Sequence, residues 1–168
     1  KFAPKLKYHI FYGLGRTFDD GHYEDFDIII TSYGTARNDI ESLMSFQWEY
    51  IILDESQAIK NPDANTTKAM QLLKSRNKLI LSGTPLQNNT FDLYAQFNFL
   101  NPGLLGSRDF FRNEFANPID KNNDKDASQT LRTMIKPFML RRTKSEVAVD
   151  LPEKTETILW CQMDKAQK

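Results

Sequence analysis

Three continuous aliphatic runs most constrain how this chain can fold. They are "DIIITSY" (residues 27–33), "YIILDE" (50–55) and "KLILSGT" (78–84). None approaches the roughly 20 apolar residues of a membrane span. Uninterrupted aliphatic runs of this length are typical of strands covered on both faces, as in a parallel sheet. Between them lie "TARNDIESLMS" (35–45), which with Ile40, Leu43 and Met44 apolar reads as a helix, and "NPDANTTKAMQLLKS" (61–75). The second predicts a helix capped by Asn61, with Pro62 in its first position and an apolar face of Ala69, Met70, Leu72 and Leu73. Strand and helix alternate from residue 27 to about 100. That order predicts an α/β fold with a parallel sheet and helices on both sides. "YHIFYG" (8–13) adds a short strand.

The later part reads differently. "TFDLYAQFNFLNPG" (90–103) predicts a helix with Leu93, Phe97 and Leu100 on one side, stopped by "NPG". "SRDFFRNEFANP" (107–118) predicts another, with Phe111 and Phe115 four apart. "IDKNNDKDASQ" (119–129) is polar and predicts an exposed loop. "QTLRTMIKPFML" (129–140) has Leu131, Met134, Ile135 and Phe138 at helical spacing, and "LPEKTETILWCQM" (151–163) reads as a turn and a final strand. The expected organisation is an α/β part over 1–90, a helical extension over 91–150 and a strand or linker over 151–168.

Composition narrows the function classes. Hydrophobic residues at 40% and charged residues at 26% are ordinary for a globular domain. With 22 basic and 22 acidic residues there is no global field to attract nucleic acid, so a nucleic-acid contact needs a local patch or backbone amides. The single cysteine, Cys161, excludes an internal disulfide and has no partners for a zinc site. The first residues lack a signal-peptide layout, and a reducing, cytoplasmic setting fits this usage best. His9 and His22 lie in unrelated surroundings and are read as ordinary residues.

Chemistry enters at the strand ends. Asp54 and Glu55 close the second aliphatic run. A carboxylate at the C-terminal end of a parallel strand faces the crevice where α/β sheets bind ligands. There an Asp can hold Mg²⁺ through water beside a triphosphate, and a neighbouring Glu can act as general base. The alternative is a surface or capping pair. The third run ends in Ser82, Gly83, Thr84, and Ser82 follows Asp54 by 28 residues, about one helix and one strand. That spacing predicts Ser82 and Thr84 at the same sheet edge on a neighbouring strand. The alternative there is a plain strand-to-helix turn capped by Asn88, Asn89 or Thr90.

Together these stretches carry a family likeness. "LDESQAIKN" followed by "LSGTPLQNN" resembles motifs II and III of helicase superfamily two, and of the Swi/Snf-type DNA-dependent ATPases in particular, with the bacterial group nearest. "IIITSYGTA" resembles motif Ib, and "FLNPGLLGS" and "PFMLRRTKSEVAVDLPEKTE" are similar to further blocks of that family. The five matches run in family order across almost the whole chain. The resemblance implies a three-layer, RecA-like parallel-sheet lobe of phosphate-loop NTPase type, incomplete, with a helical extension. It implies that Asp54 helps hold Mg²⁺, Glu55 activates water, and Gln57 links the site to Ser82, Gly83 and Thr84. Gln57 stands where many relatives have histidine, yet glutamine still donates and accepts hydrogen bonds. Thr31, Ser32 and Tyr33 would approach a DNA phosphate. Leu86, Gln87 and Asn88 would lie on the DNA side, and Arg141, Arg142 and Lys144 would form a basic patch, whose plainer reading is a solvated helix end.

A phosphate loop needs G-x-x-x-x-G-K followed by Ser or Thr, and no Gly-Lys pair occurs in these 168 residues. "YGLGRT" (12–17) lacks the lysine and the strand–helix context. The chain therefore reads as the later part of a first RecA-like lobe from a larger protein that uses ATP and Mg²⁺ on double-stranded DNA. By itself it is expected to hold no cofactor and to be inactive, and its partners are expected to be DNA, the remaining parts of the motor and a second copy of itself, with no membrane. Two further readings stay open: a non-catalytic DNA-binding or interaction module, and an RNA helicase of the same superfamily.

Overall fold

A computed structural model describes residues 3–14, 16, 22–83 and 90–142. Among these residues, four strands form two parallel pairs. β1 (Tyr8–Phe11) pairs with β2 (Ile28–Thr31), and β3 (Gln47–Leu53) pairs with β4 (Lys74–Ile80). The parallel pairing is the predicted one, though among the described residues it forms two two-stranded sheets rather than one, and the crossover between β3 and β4 contains the predicted helix, α3 (Asn65–Leu72). The chain divides into two compact units, Lys1–Arg132 and Thr133–Lys168.

A core cluster of the first unit forms around β3. Ile51 and Leu53 of β3 turn inward with Ile59, Ala69, Met70, Leu73 and Phe99, and Ile29, Tyr33 and Ile80 pack against them from the side. Complete burial of a side chain such as Ile59 or Phe99 contributes about 1.5–3 kcal/mol. The alternate positions are different. Tyr8 and Ile10 of β1, Ile28 and Ile30 of β2, and Tyr50 and Ile52 of β3 are exposed. The runs in β2 and β3 were expected to be covered on both faces. Ile28–Ile30 and Tyr50–Leu53 are apolar at every position, but the described elements cover one face only.

Several boundaries differ from expectation for local reasons. The helix predicted over 35–45 is two short helices, α1 (Tyr33–Asn38) and α2 (Ile40–Ser45), because Asp39 takes a non-helical backbone between them. Helix α3 starts at Asn65 rather than after Asn61. The Asn61 side chain instead accepts from the Asp63 amide at 2.9 Å, and its carbonyl accepts from the Thr67 hydroxyl at 2.7 Å, so Asn61 closes a turn before the helix. β4 begins four residues earlier than the aliphatic run, at Lys74, because Lys74 and Ser75 already pair with Gln47 and Trp48 of β3.

The helical extension opens with α4 (Thr90–Leu100), which buries the predicted Leu93 and Phe97 but also Tyr94, Ala95, Gln96 and Phe99, so it is covered on more than one side, while Leu100 is half-buried. Gly106, at φ +73°, turns the chain towards α5 (Arg108–Phe111); a Cβ there would meet the Phe110 ring at 2.7 Å. A π-helical turn (Arg112–Ala116) and α6 (Asn117–Asn122) continue it. The Asp120 carboxylate of α6 accepts from the Thr90 amide at 3.3 Å and from its hydroxyl at 2.5 Å, so it caps α4 from a distance. The loop expected over 119–129 is a correction. Asn123, in the left-handed conformation at φ 52°, makes a sharp turn, and α7 (Lys125–Ile135) starts two residues later. Polar residues here mark solvated helix surface rather than irregular chain. The strand expected over 151–163 lies outside the described residues.

Candidate active site

The parallel ladder sets the site. Leu53 stands opposite Ile80 at the C-terminal end of both strands. Beyond that pair the Leu81 amide donates to the Leu53 carbonyl at 2.8 Å, and the Ser56 amide donates to the Leu81 carbonyl at 2.9 Å. Asp54 and Ser82 therefore leave adjacent, co-directional strands at one rim. This is where polar groups of an α/β sheet meet a ligand.

Asp54 and Glu55 are both exposed at this rim. The Glu55 amide donates to Asp54 Oδ1 at 2.9 Å, and Gln57 Nε2 donates to Glu55 Oε2 at 2.8 Å. Asp54, Glu55 and Gln57 are thus held as one hydrogen-bonded group. Glu55 adopts the left-handed conformation (φ 50°, ψ 53°). A side chain in that region costs on the order of 1 kcal/mol, a strain that folded chains keep mainly at functional turns. Ser56 is fully buried below the turn, and its hydroxyl has no partner among the described residues.

Tyr33 reaches the same turn from the first position of α1. Its hydroxyl donates to the Asp54 carbonyl at 2.8 Å. Burial first, and then the charges of Asp54 and Glu55, push its phenol up to about 12. The hydroxyl is therefore a standing donor through the physiological range. Thr31 and Ser32 precede it. The Thr31 hydroxyl donates to the Phe11 carbonyl at 2.9 Å; the Ser32 hydroxyl caps α1, accepting from the Thr35 amide at 3.2 Å. Both side chains are exposed, though already engaged.

Ser82 and Gly83 are exposed beside the carboxylates. Thr84, Leu86, Gln87, Asn88 and Lys144 lie outside the described residues. Arg141 and Arg142 belong to the second unit, where both are exposed and the Arg142 guanidinium donates to the Arg141 carbonyl at 3.4 Å. The structure thus brings Asp54, Glu55, Gln57, Ser82, Gly83 and Tyr33 to one end of the strands.

Among the described residues no cluster of three or more His, Cys, Asp or Glu side chains is arranged to hold a metal. The exposed Asp54 and Glu55 carboxylates fit Mg²⁺, which keeps several waters and binds through one or two carboxylates plus phosphate oxygens.

One group was missed in the sequence. Arg108 of α5 holds Asp63, in the turn after the carboxylate segment, and stacks on Phe91 in the first turn of α4. The partners lie 45 residues apart, and no local pattern signals such a pair.

Comparison with known proteins identifies a family. A family model described as the SNF2-related domain matches residues 1–168. The chain is 42% identical over 160 residues to the putative ATP-dependent helicase/translocase YwqA of Bacillus subtilis, covering 92% of this chain and 17% of that protein. It is 36% identical over 179 residues to the DNA repair and recombination protein RAD26 of Saccharomyces cerevisiae, covering 100% of this chain and 16% of the relative. A solved SWI2/SNF2 ATPase core of Sulfolobus solfataricus in complex with double-stranded DNA superposes with a TM-score of 0.80 at 41% identity, over 98% of this chain and 34% of that one. The chain therefore spans about a third of the solved core and under a fifth of these two curated relatives.

Proposed function

The chain belongs to the SNF2-related family, and from that premise we propose that it supplies the hydrolytic and coupling motifs of an ATP-driven motor on double-stranded DNA. The observation that carries this reading is the shared rim, with Asp54 and Glu55 ending β3 and Ser82 following β4. In this reading the parent protein uses ATP and Mg²⁺. When bound, Mg²⁺ would neutralise charge on the phosphate oxygens. Asp54 would hold it through water. Glu55 has one carboxylate oxygen engaged by Gln57, and the other takes a proton from the attacking water. Gln57 fixes the orientation of that carboxylate and, with Ser82, Gly83 and Thr84, relays the state of the site. Thr31 and Ser32 lie on the DNA side, with Gln87, Asn88, Arg141 and Arg142 as further DNA contacts.

Triphosphate affinity comes largely from backbone amides and the lysine of a phosphate loop. This sequence has no Gly-Lys pair, so the 168-residue chain alone neither binds ATP tightly nor hydrolyses it. The test of the reading is Glu55→Gln in the full-length protein. DNA-stimulated ATPase falls by about 10²-fold or more while DNA binding is retained. Unchanged hydrolysis would leave a non-catalytic DNA-binding module in its place, and stimulation by RNA rather than duplex DNA would make it an RNA helicase.

A further inference from the structure

Tyr33 occupies a place that the hydrolytic reading does not use. It is the first residue of α1, directly after Thr31 and Ser32, and its hydroxyl crosses to the Asp54 carbonyl. Thr31 and Ser32 are fixed on their own side, through the Phe11 carbonyl and through Thr35. Asp54 lies just beyond the β3–β4 ladder, whose last acceptor on this strand is Leu53. One residue later the backbone turns into the left-handed conformation at Glu55. The Tyr33 bond therefore meets the chain where the ladder ends and the strained turn begins. The ring itself packs against the core cluster, so the phenol is anchored at both ends.

We propose that Tyr33 is a positioning residue: its bond to the Asp54 carbonyl fixes the Asp54–Glu55 turn and carries displacement of the Thr31–Ser32 segment to those carboxylates. This rests on the hydrolytic reading above. The partner acting on Thr31–Ser32 is the same duplex DNA. A shift of that segment has a path of one side chain to the peptide that orients Glu55. No covalent step is involved, and the Tyr33 hydroxyl, expected from the sequence near a DNA phosphate, acts instead through the Asp54 peptide.

The experiment is Tyr33→Phe in the full-length protein, which keeps the ring and removes only the hydroxyl. One lost hydrogen bond that acts on the turn lowers DNA-stimulated kcat about fivefold. KM for ATP and Kd for duplex DNA stay within about twofold, since neither contact is removed. Amide exchange in the peptide containing Asp54 and Glu55 becomes faster, which reads the turn without relying on activity. An unchanged kcat with unchanged exchange overturns the proposal. So does a loss confined to DNA affinity, which would make the phenol a direct DNA contact. Glu55→Gln measured alongside separates the two readings. If it abolishes hydrolysis while Tyr33→Phe changes nothing, only the positioning role fails; if Glu55→Gln is fully active, the hydrolytic reading falls and takes this one with it.

Discussion

Arg108 grips the Asp63 carboxylate with both terminal nitrogens, each 2.6 Å from an oxygen, while its guanidinium lies over the Phe91 ring at 5.3 Å. The pair joins three segments: the turn after the acidic motif, the first turn of α4, and α5. Arg112 lies over the same ring at 5.4 Å, which adds a second cation to the stack. A planar fork that is both bidentate and stacked is a geometry lysine cannot reproduce.

The hydrogen bond and charge of Arg108 hold the Asp63 carboxyl below the usual carboxylate range. A carboxyl with a depressed folded-state pKa adds stability above its ordinary pKa and loses it as pH falls through the folded value. Arg108→Ala and Arg108→Lys therefore lower the thermal midpoint at neutral pH, Ala more than Lys. Both differences from the unsubstituted protein shrink in acid. The pair is surface-accessible, so they also shrink in high salt. Thermal melts from pH 7 to pH 3 check this, and a pH-independent difference would show that Arg108 acts through packing on Phe91 alone.

The rim was legible in the sequence because its determinants are local. A continuous aliphatic run ending in Asp54 specifies a strand and its polar end without reference to distant residues, and the spacing to Ser82 specifies the neighbouring strand. The turn after Asn61 was harder, because Asn61 caps a helix or closes an Asx turn with the same side chain. Asn123 shows the same limit, since one left-handed residue converts an apparent loop into a helix–turn–helix. Asp63–Arg108, Thr90–Asp120 and Tyr33–Asp54 were not legible at all. Each joins residues at least 21 positions apart and leaves no periodic trace.

The exposed apolar positions have a consequence in solution. Tyr50 and Ile52 are 61% and 55% exposed although they sit in the strand that carries the acidic motif. With Tyr8, Ile10, Ile28 and Ile30 also exposed, both strand pairs present contiguous apolar surface. Among the described residues β2 and β3 do not pair with each other, which leaves strand edges as well. The isolated chain therefore self-associates at micromolar concentration, as read by light scattering. The double substitution Ile30→Lys with Ile52→Lys shifts it towards monomer without loss of helical signal, because neither side chain belongs to the core cluster. Association unaffected by these charges would place the contact elsewhere.

Glu55 sets stability against activity at one residue. Its left-handed backbone, at φ 50°, suits glycine better than any residue with a Cβ. Glu55→Gly relieves a conformational cost on the order of 1 kcal/mol, partly offset by the greater freedom glycine brings to the unfolded chain. Glu55→Ala keeps the Cβ and relieves nothing. Both lose the carboxylate that Gln57 holds at 2.8 Å, so both abolish DNA-stimulated hydrolysis in the full-length protein. The expected order of thermal midpoints is Gly above Ala, with activity absent in both. Denaturant titration and ATPase assays on the same two variants check the pair of claims. Equal stability of Gly and Ala would mean that the turn relaxes out of the left-handed region once the carboxylate is gone, and that the Glu55–Gln57 bond, rather than the fold around it, maintains the strain.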